Sequence, residues 1–361
     1  MLQKVFLWMQ KRERHLSAVA MAVGFIFDSL YFERIDLWQT QIVFAFYAAV
    51  CFVAIPLHHW IEMRLGGQEH RPRWRLILPL ATQFALGGFW SGFVIFYGRS
   101  AVVGASWPFL LFLVLIFLGS EYFHRYHARL VFTSILFFFA LYSYAILAVP
   151  IYTGSIGTQT FLASGVLAAV VFAVFTVFLR MLARERFLSD VWRIRVGAFA
   201  VFALMNAFYF TNILPPLPLS ATAAGIYHSV WRVPGAYLAQ REAEPWQVRY
   251  LGLPPTLHAA PGESLFAYSS VFAPTALTTD VLHRWQWYDP ARKVWITRSV
   301  IQYSIVGGRE SGYRGYSAVP VGSVGKWRVN VETADGRLIA RIPFVVAPAI
   351  SPPSLETTVL K

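Results

Sequence analysis

The sequence predicts two joined folds, a membrane bundle of about seven α-helices followed by an all-β, immunoglobulin-like antiparallel sandwich. Three observations carry this. Of 361 residues, 57% are apolar, 17% aromatic and only 14% charged, against roughly a quarter charged in an ordinary soluble domain. Charge-free runs divide the first 213 residues at lengths that suit the roughly 20 residues needed to cross a bilayer core. After Leu214-Pro-Pro-Leu-Pro218 the pattern changes to short alternating segments punctuated by turn residues.

The predicted spans are Leu16 to Phe32, Leu37 to Leu57, Leu76 to Gly98 and Ser100 to Ser120, two within the uncharged stretch Leu130 to Leu179, and Val196 to Ile213. The long stretch divides at Pro150 to Thr160, whose Pro, Gly and Ser residues read as a turn between Val149 and Phe161. Asp28 is the acid well inside a predicted span, either in a polar pocket or reaching the headgroups with Arg34 beside it. With seven spans, the connections on the N-terminal side hold fifteen Lys and Arg residues, and the opposite side holds Arg34 and Arg99. Basic residues in short loops stay cytoplasmic. The N-terminus is therefore expected inside and everything after Ile213 outside, which in a bacterial inner membrane would be the periplasm. The same residues account for much of the +13 net charge, so no nucleic-acid partner is expected; the bilayer is. Leu16 to Phe32 lacks a small-residue cleavage site, which argues against a secretory signal peptide.

Residues 214–346 are expected to form the outer domain and 347–361, with Ser351-Pro-Pro-Ser354, a disordered tail. The clearest hairpin sets Trp327, Val329, Val331 and Thr333 against Leu338, Ala340, Ile342 and Phe344 across Asp335-Gly336. Further strands fit Gly225 to Arg232, Ala236 to Arg241, Ser264 to Phe272, Val281 to Tyr288 and Val294 to Tyr303. His283, Trp285 and Trp287 share one strand face by period two, and with Trp295 and Trp327 they are expected to fill the core. A piece from Ala221 to Pro348 is expected to fold alone. Cys51 is the single cysteine, so neither an intrachain disulfide nor a cysteine zinc cluster can form.

The stretches Val271-Phe-Ala-Pro, His283-Arg-Trp, Gly307 to Ser317, Gly325 to Thr333 and Phe344-Val-Val346 resemble the bacterial family named domain of unknown function 2914. The resemblance spans about Ser264 to Val346. It implies a domain joined to a multi-span membrane half in the envelope of Gram-negative bacteria, and it supplies no activity and no catalytic residue.

Two constellations are candidates for chemistry. In the outer domain, Arg309, Glu310, Tyr313, Arg314 and Tyr316 gather guanidinium and phenol groups in a loop of four glycines. Arg forks take phosphate or carboxylate and Tyr faces stack on sugars, so an anionic glycan, an anionic lipid or a periplasmic protein is a conceivable ligand. The same residues can equally close one end of the sandwich, with Arg309 paired to Glu310. In the membrane half, His58, His59 and Glu62, with Glu121, His124 and His127, fall at cytoplasmic helix ends. They suit a metal site, while anchoring in the headgroups is the plainer reading. Glu121, Phe123, Arg125 and His127 also resemble the Glu-x-x-x-Arg and Phe-x-x-x-His elements of intramembrane CAAX-type proteases, without that family's paired glutamates. The chain lacks a Gly-x-Ser-x-Gly elbow, a phosphate loop, a dinucleotide fingerprint and a Cys-x-x-Cys pair. The preferred expectation is a non-enzymatic display of a binding domain without a cofactor, the other a membrane metalloenzyme or protease-like enzyme.

Overall fold

A computed structural model describes residues 25–26, 28–32, 34–65, 77–100, 103–122, 130–216, 218–243, 253–274, 277–309, 312–349 and 351–360. The chain divides into two compact units. One comprises residues 1–98, 108–149 and 158–214, the other residues 99–107, 150–157 and 215–361.

The first unit is helical. After helical turns at residues 28–31 come α1 (Trp38–Leu65), α2 (Ile77–Ser100), α3 (Val103–Tyr122), α4 (Leu130–Thr153), α5 (Thr158–Leu182) and α6 (Arg184–Phe210). Five of these, all but α3, are long and apolar enough to cross a bilayer, and Ser106–Leu118 of α3 is a shorter apolar helix. On α5 the residues Phe161, Ser164, Gly165, Ala168, Phe172, Phe175 and Leu179 are buried, whereas Val166, Val170, Val174 and Val177 are bare. A valine stripe left open on one helix face is unfavourable in water and suits a lipid surround. Most of the predicted first span lies outside the described residues. Arg34 pairs with Asp36 at 2.7 Å. Pro150 falls in the last turn of α4, so the expected turn is shorter and later, at Gly154 and Gly157, both with positive φ.

Aromatic packing holds this unit together. Phe44 on α1 is fully buried and stacks on Phe32 (5.4 Å), Phe93 (5.7 Å) and Tyr144 (5.4 Å). Gly88 and Gly92 of α2 leave room for those rings: a Cβ at Gly92 would stand 2.5 Å from Phe44 Cζ and one at Gly88 2.4 Å from the Tyr47 ring. Small residues four apart on α2 thus leave the space that large rings from α1 fill.

The second unit is built of β1 (Ser220–Tyr227), β2 (Ser229–Val233), β3 (Ala236–Glu242), β4 (Thr256–Ala259), β5 (Ser264–Phe272), β6 (Thr278–Asp289), β7 (Val294–Val306), β8 (Tyr313–Pro320), β9 (Gly325–Thr333), β10 (Leu338–Pro348) and β11 (Leu355–Leu360). They form sheets of order β1-β5-β8, β4-β10-β9-β6-β7 and β11-β3-β2. Every pair is antiparallel except β4 with β10. The main core lies between the first two sheets, where Trp285, Trp327, Val281, Val329, Val331, Leu265 and Ala267 are buried. A smaller core of Val230, Ala239, Tyr268 and Leu360 lies between the first sheet and the third. The Asp335-Gly336 hairpin forms as its turn chemistry predicts: Gly336 has φ +82°, and Ile342 pairs with Val329 and Phe344 with Trp327.

Three expectations need correction. The tail is not disordered: Leu355–Leu360 is β11, paired with β3 from Leu355–Glu242 to Leu360–Tyr237. Gly225 to Arg232 is two strands, because the chain turns at His228 to start β2. Trp295 does not join the core, because a bulge between Trp285 and Gln286 shifts the β7 register. Its ring meets Tyr288 and the guanidinium of Arg328 on the outer face of the five-stranded sheet.

Candidate functional site

The glycine-rich loop leads from β7 into β8. Gly307 is required there, since a Cβ would sit 1.6 Å from the carbonyl oxygen of Pro274. Gly308 and Gly312 take φ +94° and +82°, the left-handed region that glycine enters without cost. Glu310 lies outside the described residues. Strand alternation then splits the remaining candidates. Arg309 stacks over the Tyr313 ring at 4.9 Å, and Tyr313 packs against the main core. This pair closes an end of the sandwich. Arg314 and Tyr316 point the other way, where Tyr316 is 43% exposed and its ring lies 6.1 Å from Tyr237 and 6.2 Å from Phe266. Arg314 Nη1 donates to the carbonyl of Gly235 at 3.5 Å. Beneath them, burial pushes the Tyr268 phenol up to about 12, with the Arg314 charge opposing and Tyr227 and Tyr237 adding to the rise. Arg314 and Tyr316 thus stand side by side on a floor of phenol rings, a surface suited to an anion carried on a flat or sugar-like group.

This loop falls inside the stretch on which a family comparison agrees. Residues 278–346 match the family described as "Protein of unknown function (DUF2914)". The DUF2914 segment runs from the start of β6 into the end of β10, so it supplies four strands of the five-stranded sheet's five, together with the edge strand β8. No curated protein matches the chain in sequence at a significant level. Among solved structures, the chain is similar at 9% identity to the Pseudomonas fluorescens alkylpurine DNA glycosylase AlkC bound to DNA containing an abasic site analog. That similarity covers 87% of this chain and 99% of the other at a TM-score of 0.22.

Within the DUF2914 segment, His283 is fully buried yet fully partnered. Its Nε2 lies 2.8 Å from Ser269 Oγ and 3.2 Å from Tyr303 Oη, and its Nδ1 lies 2.8 Å from Ser317 Oγ. Trp285 Nε1 donates to the same Ser317 hydroxyl at 3.0 Å. Burial holds the imidazole down at about 4 and pushes the Tyr303 phenol up. His283 has two serines beside it, but none of the three reaches solvent. The network ties β6 to β5 and β8 across the core and is structural. Sequence spacing gave no sign of it, because Ser269 and Ser317 lie 14 and 34 residues from His283.

A second polar cluster, outside the DUF2914 segment, was also invisible in the sequence. Glu242 at the end of β3 accepts from the His258 amide at 2.6 Å through Oε1 and meets His258 Nδ1 at 2.8 Å through Oε2. His228 sits between carboxylates, with Nε2 2.8 Å from Glu242 and Nδ1 3.3 Å from Glu263. Burial alone would raise the Glu242 carboxyl, but the two hydrogen bonds from His258 and the one from His228 outweigh it and hold it below the usual range.

In the helical unit, His58 and His59 adjoin with ring centroids 5.0 Å apart. His59 is buried, and its Nδ1 has no hydrogen-bond partner among the described residues. Glu62 follows one turn later on α1. His124 and His127 lie outside the described residues, as does the side chain of Glu121. Among the described residues, no group of three or more His, Cys, Asp or Glu side chains is placed to hold a metal ion.

Proposed function

We propose that this is a bacterial inner-membrane protein whose helices hold the β domain in the periplasm as a binding module for an anionic envelope component or a partner protein. The observation that carries the reading is the placement of Arg314 and Tyr316, side by side and turned away from the main core, over the rings of Tyr237, Phe266 and Tyr268. The fifteen-to-two division of basic residues supports the orientation. Alkaline phosphatase fusions made after Gly66, Arg125 and Arg184 should be inactive and one after Arg249 active; activity in the reverse pattern ends the proposal. The ligand half is tested with the full chain in detergent micelles, titrated with an anionic oligosaccharide. Arg314→Ala should leave the protein folded and reduce binding about tenfold, the share of a charge-assisted hydrogen bond. A second reading, a metal or hydrolytic site at the cytoplasmic helix ends, draws its support from the buried Nδ1 of His59, which has no partner among the described residues. Zinc that copurifies and is lost in His59→Ala would favour it.

A further inference from the structure

The outer face of the five-stranded sheet carries the cations Arg284, Lys326, Arg328 and Arg341, of which, among the described residues, only Arg284 has a carboxylate in ion-pair range. Pairing and alternation place Lys326, Arg328, Asn330 and Glu332 of β9 on this face, because Trp327, Val329 and Val331 fill the core. Across the ladders, Arg328 faces Gln286 of β6 and Pro343 of β10, and Asn330 faces Arg284 and Arg341. Arg284 has a carboxylate, since its Nε donates to Glu332 at 2.9 Å. The others differ. Arg328 Nε donates to the amide oxygen of Gln286 at 2.8 Å, and Arg341 Nε donates to the amide oxygen of Asn330 at 2.9 Å. Both guanidinium groups are thus fixed through Nε by neutral partners. Their terminal nitrogens have no carboxylate among the described residues.

The third cation, Lys326, lies two residues before Arg328 on the same strand face, about 7 Å away. Arg341 is the diagonal neighbour of Arg328 across β9 and β10, again about 7–8 Å away. Trp295 reinforces the arrangement: its ring lies 4.1 Å under the Arg328 guanidinium and 5.2 Å from Tyr288. A stacked, Nε-anchored arginine has lost little further freedom when its fork meets an oxyanion. Burial lowers the Arg328 pKa, and the Arg341 charge lowers it further against the opposing pull of Glu332. An anion between the two guanidinium groups relieves that repulsion.

We propose that this face, formed by Lys326, Arg328 and Arg341 beside Trp295, binds a ligand bearing at least two phosphate or carboxylate groups. The site is separate from the Arg314 and Tyr316 surface and does not depend on it. All its residues fall within the DUF2914 segment.

The test uses the full chain in detergent micelles and calorimetric titration with two probes, sodium pyrophosphate and digalacturonate, at low and high salt. Wild type should bind one of them, and the one bound identifies phosphate or carboxylate as the oxyanion. Arg328→Gln and Arg341→Gln should each weaken binding about tenfold and Lys326→Gln about threefold, with affinity falling as salt rises. Arg232→Gln, which removes the same charge from β2, should bind as wild type does. Should Arg328→Gln unfold through loss of its ring contact, Arg341→Gln and Lys326→Gln decide the matter, as neither side chain supports a packed ring. Wild type that binds neither probe, or equal weakening by Arg232→Gln and Arg341→Gln, overturns the proposal and leaves the arginines as sheet supports.

Discussion

Glu242 holds His258 twice, through the backbone amide at 2.6 Å and the ring nitrogen at 2.8 Å, and so joins the end of β3 to β4 of a different sheet. The same carboxylate meets His228, at the turn between β1 and β2. One side chain, 16% exposed, therefore fastens three sheets at one end.

Glu242→Gln should lower stability by about 1–3 kcal/mol, because the amide keeps the size but loses the charge that these donors meet. The sign of the pH effect follows from its depressed carboxyl. A folded-state value below the unfolded one contributes stability that is complete above the unfolded value, about 4.5, and is lost as pH falls below it. Thermal denaturation of the full chain, followed by tryptophan fluorescence from pH 7 to pH 3, should show the variant losing less on acidification. Equal acid sensitivity in the two proteins would remove this role.

His283 acts in an adjacent window. Its folded value of about 4 lies below the ordinary 6.5, so between those pH values the unfolded chain binds a proton that the folded one refuses. Stability is constant above about 6.5 and should fall by roughly 3 kcal/mol as pH approaches 4. His283→Leu should abolish that slope, yet cost about 1–3 kcal/mol at neutral pH by stranding the Ser269 and Ser317 hydroxyls. A slope that persists in His283→Leu would mean that another group carries it.

What could be read in advance depended on how local its cause was. The β9–β10 hairpin was legible because Asp335-Gly336 and the flanking alternation lie within twenty residues. The last strand was not, because its partner β3 lies more than a hundred residues away, and the Ser-Pro-Pro-Ser stretch before it suggests disorder. Arg309, Tyr313, Arg314 and Tyr316 stand out by composition. Their division into an end-closing pair and an outward pair needed the start of β8, which fixes the alternation. Trp295 was misplaced because a single bulge inverts parity along β7. These cations went unnoticed because Lys326, Arg328 and Arg341 are spread over two strands and become a set only when β9 and β10 pair.

In the helical unit, Gly92→Val should be a damaging small change. Its added atoms would start 2.5 Å from Phe44, a ring held by Phe32, Phe93 and Tyr144 and thus unable to retreat. Overpacking of this kind costs about 1–3 kcal/mol. Cys51, buried on the same helix as Phe44, supplies the readout: a thiol-reactive dye should label Gly92→Val at lower temperature than wild type. Gly87→Val, at a position where an added Cβ meets nothing within 4 Å, should label as wild type does. If the two variants behave alike, the seating of the Phe44 ring against Gly92 is not what sets stability.

The last strand decides where the β domain ends. A piece stopping at Pro348 would leave β3 with an unpaired edge along Tyr237 to Glu242 and would uncover Val230 and Ala239, which Leu360 helps to bury. Losing six ladder positions and one buried leucine should cost roughly 2–4 kcal/mol, and an open edge strand invites pairing between chains. Residues 215–361 should accordingly express as a soluble, disulfide-free domain rich in strand by circular dichroism. Residues 215–348 should melt lower and elute partly as aggregate on size exclusion. Restoring 349–361 with Leu360→Asp should recover the ladder but not the buried contact, and so give an intermediate melting point. Identical melting of the two lengths would show that β11 pairs without stabilising, and the boundary would return to Pro348.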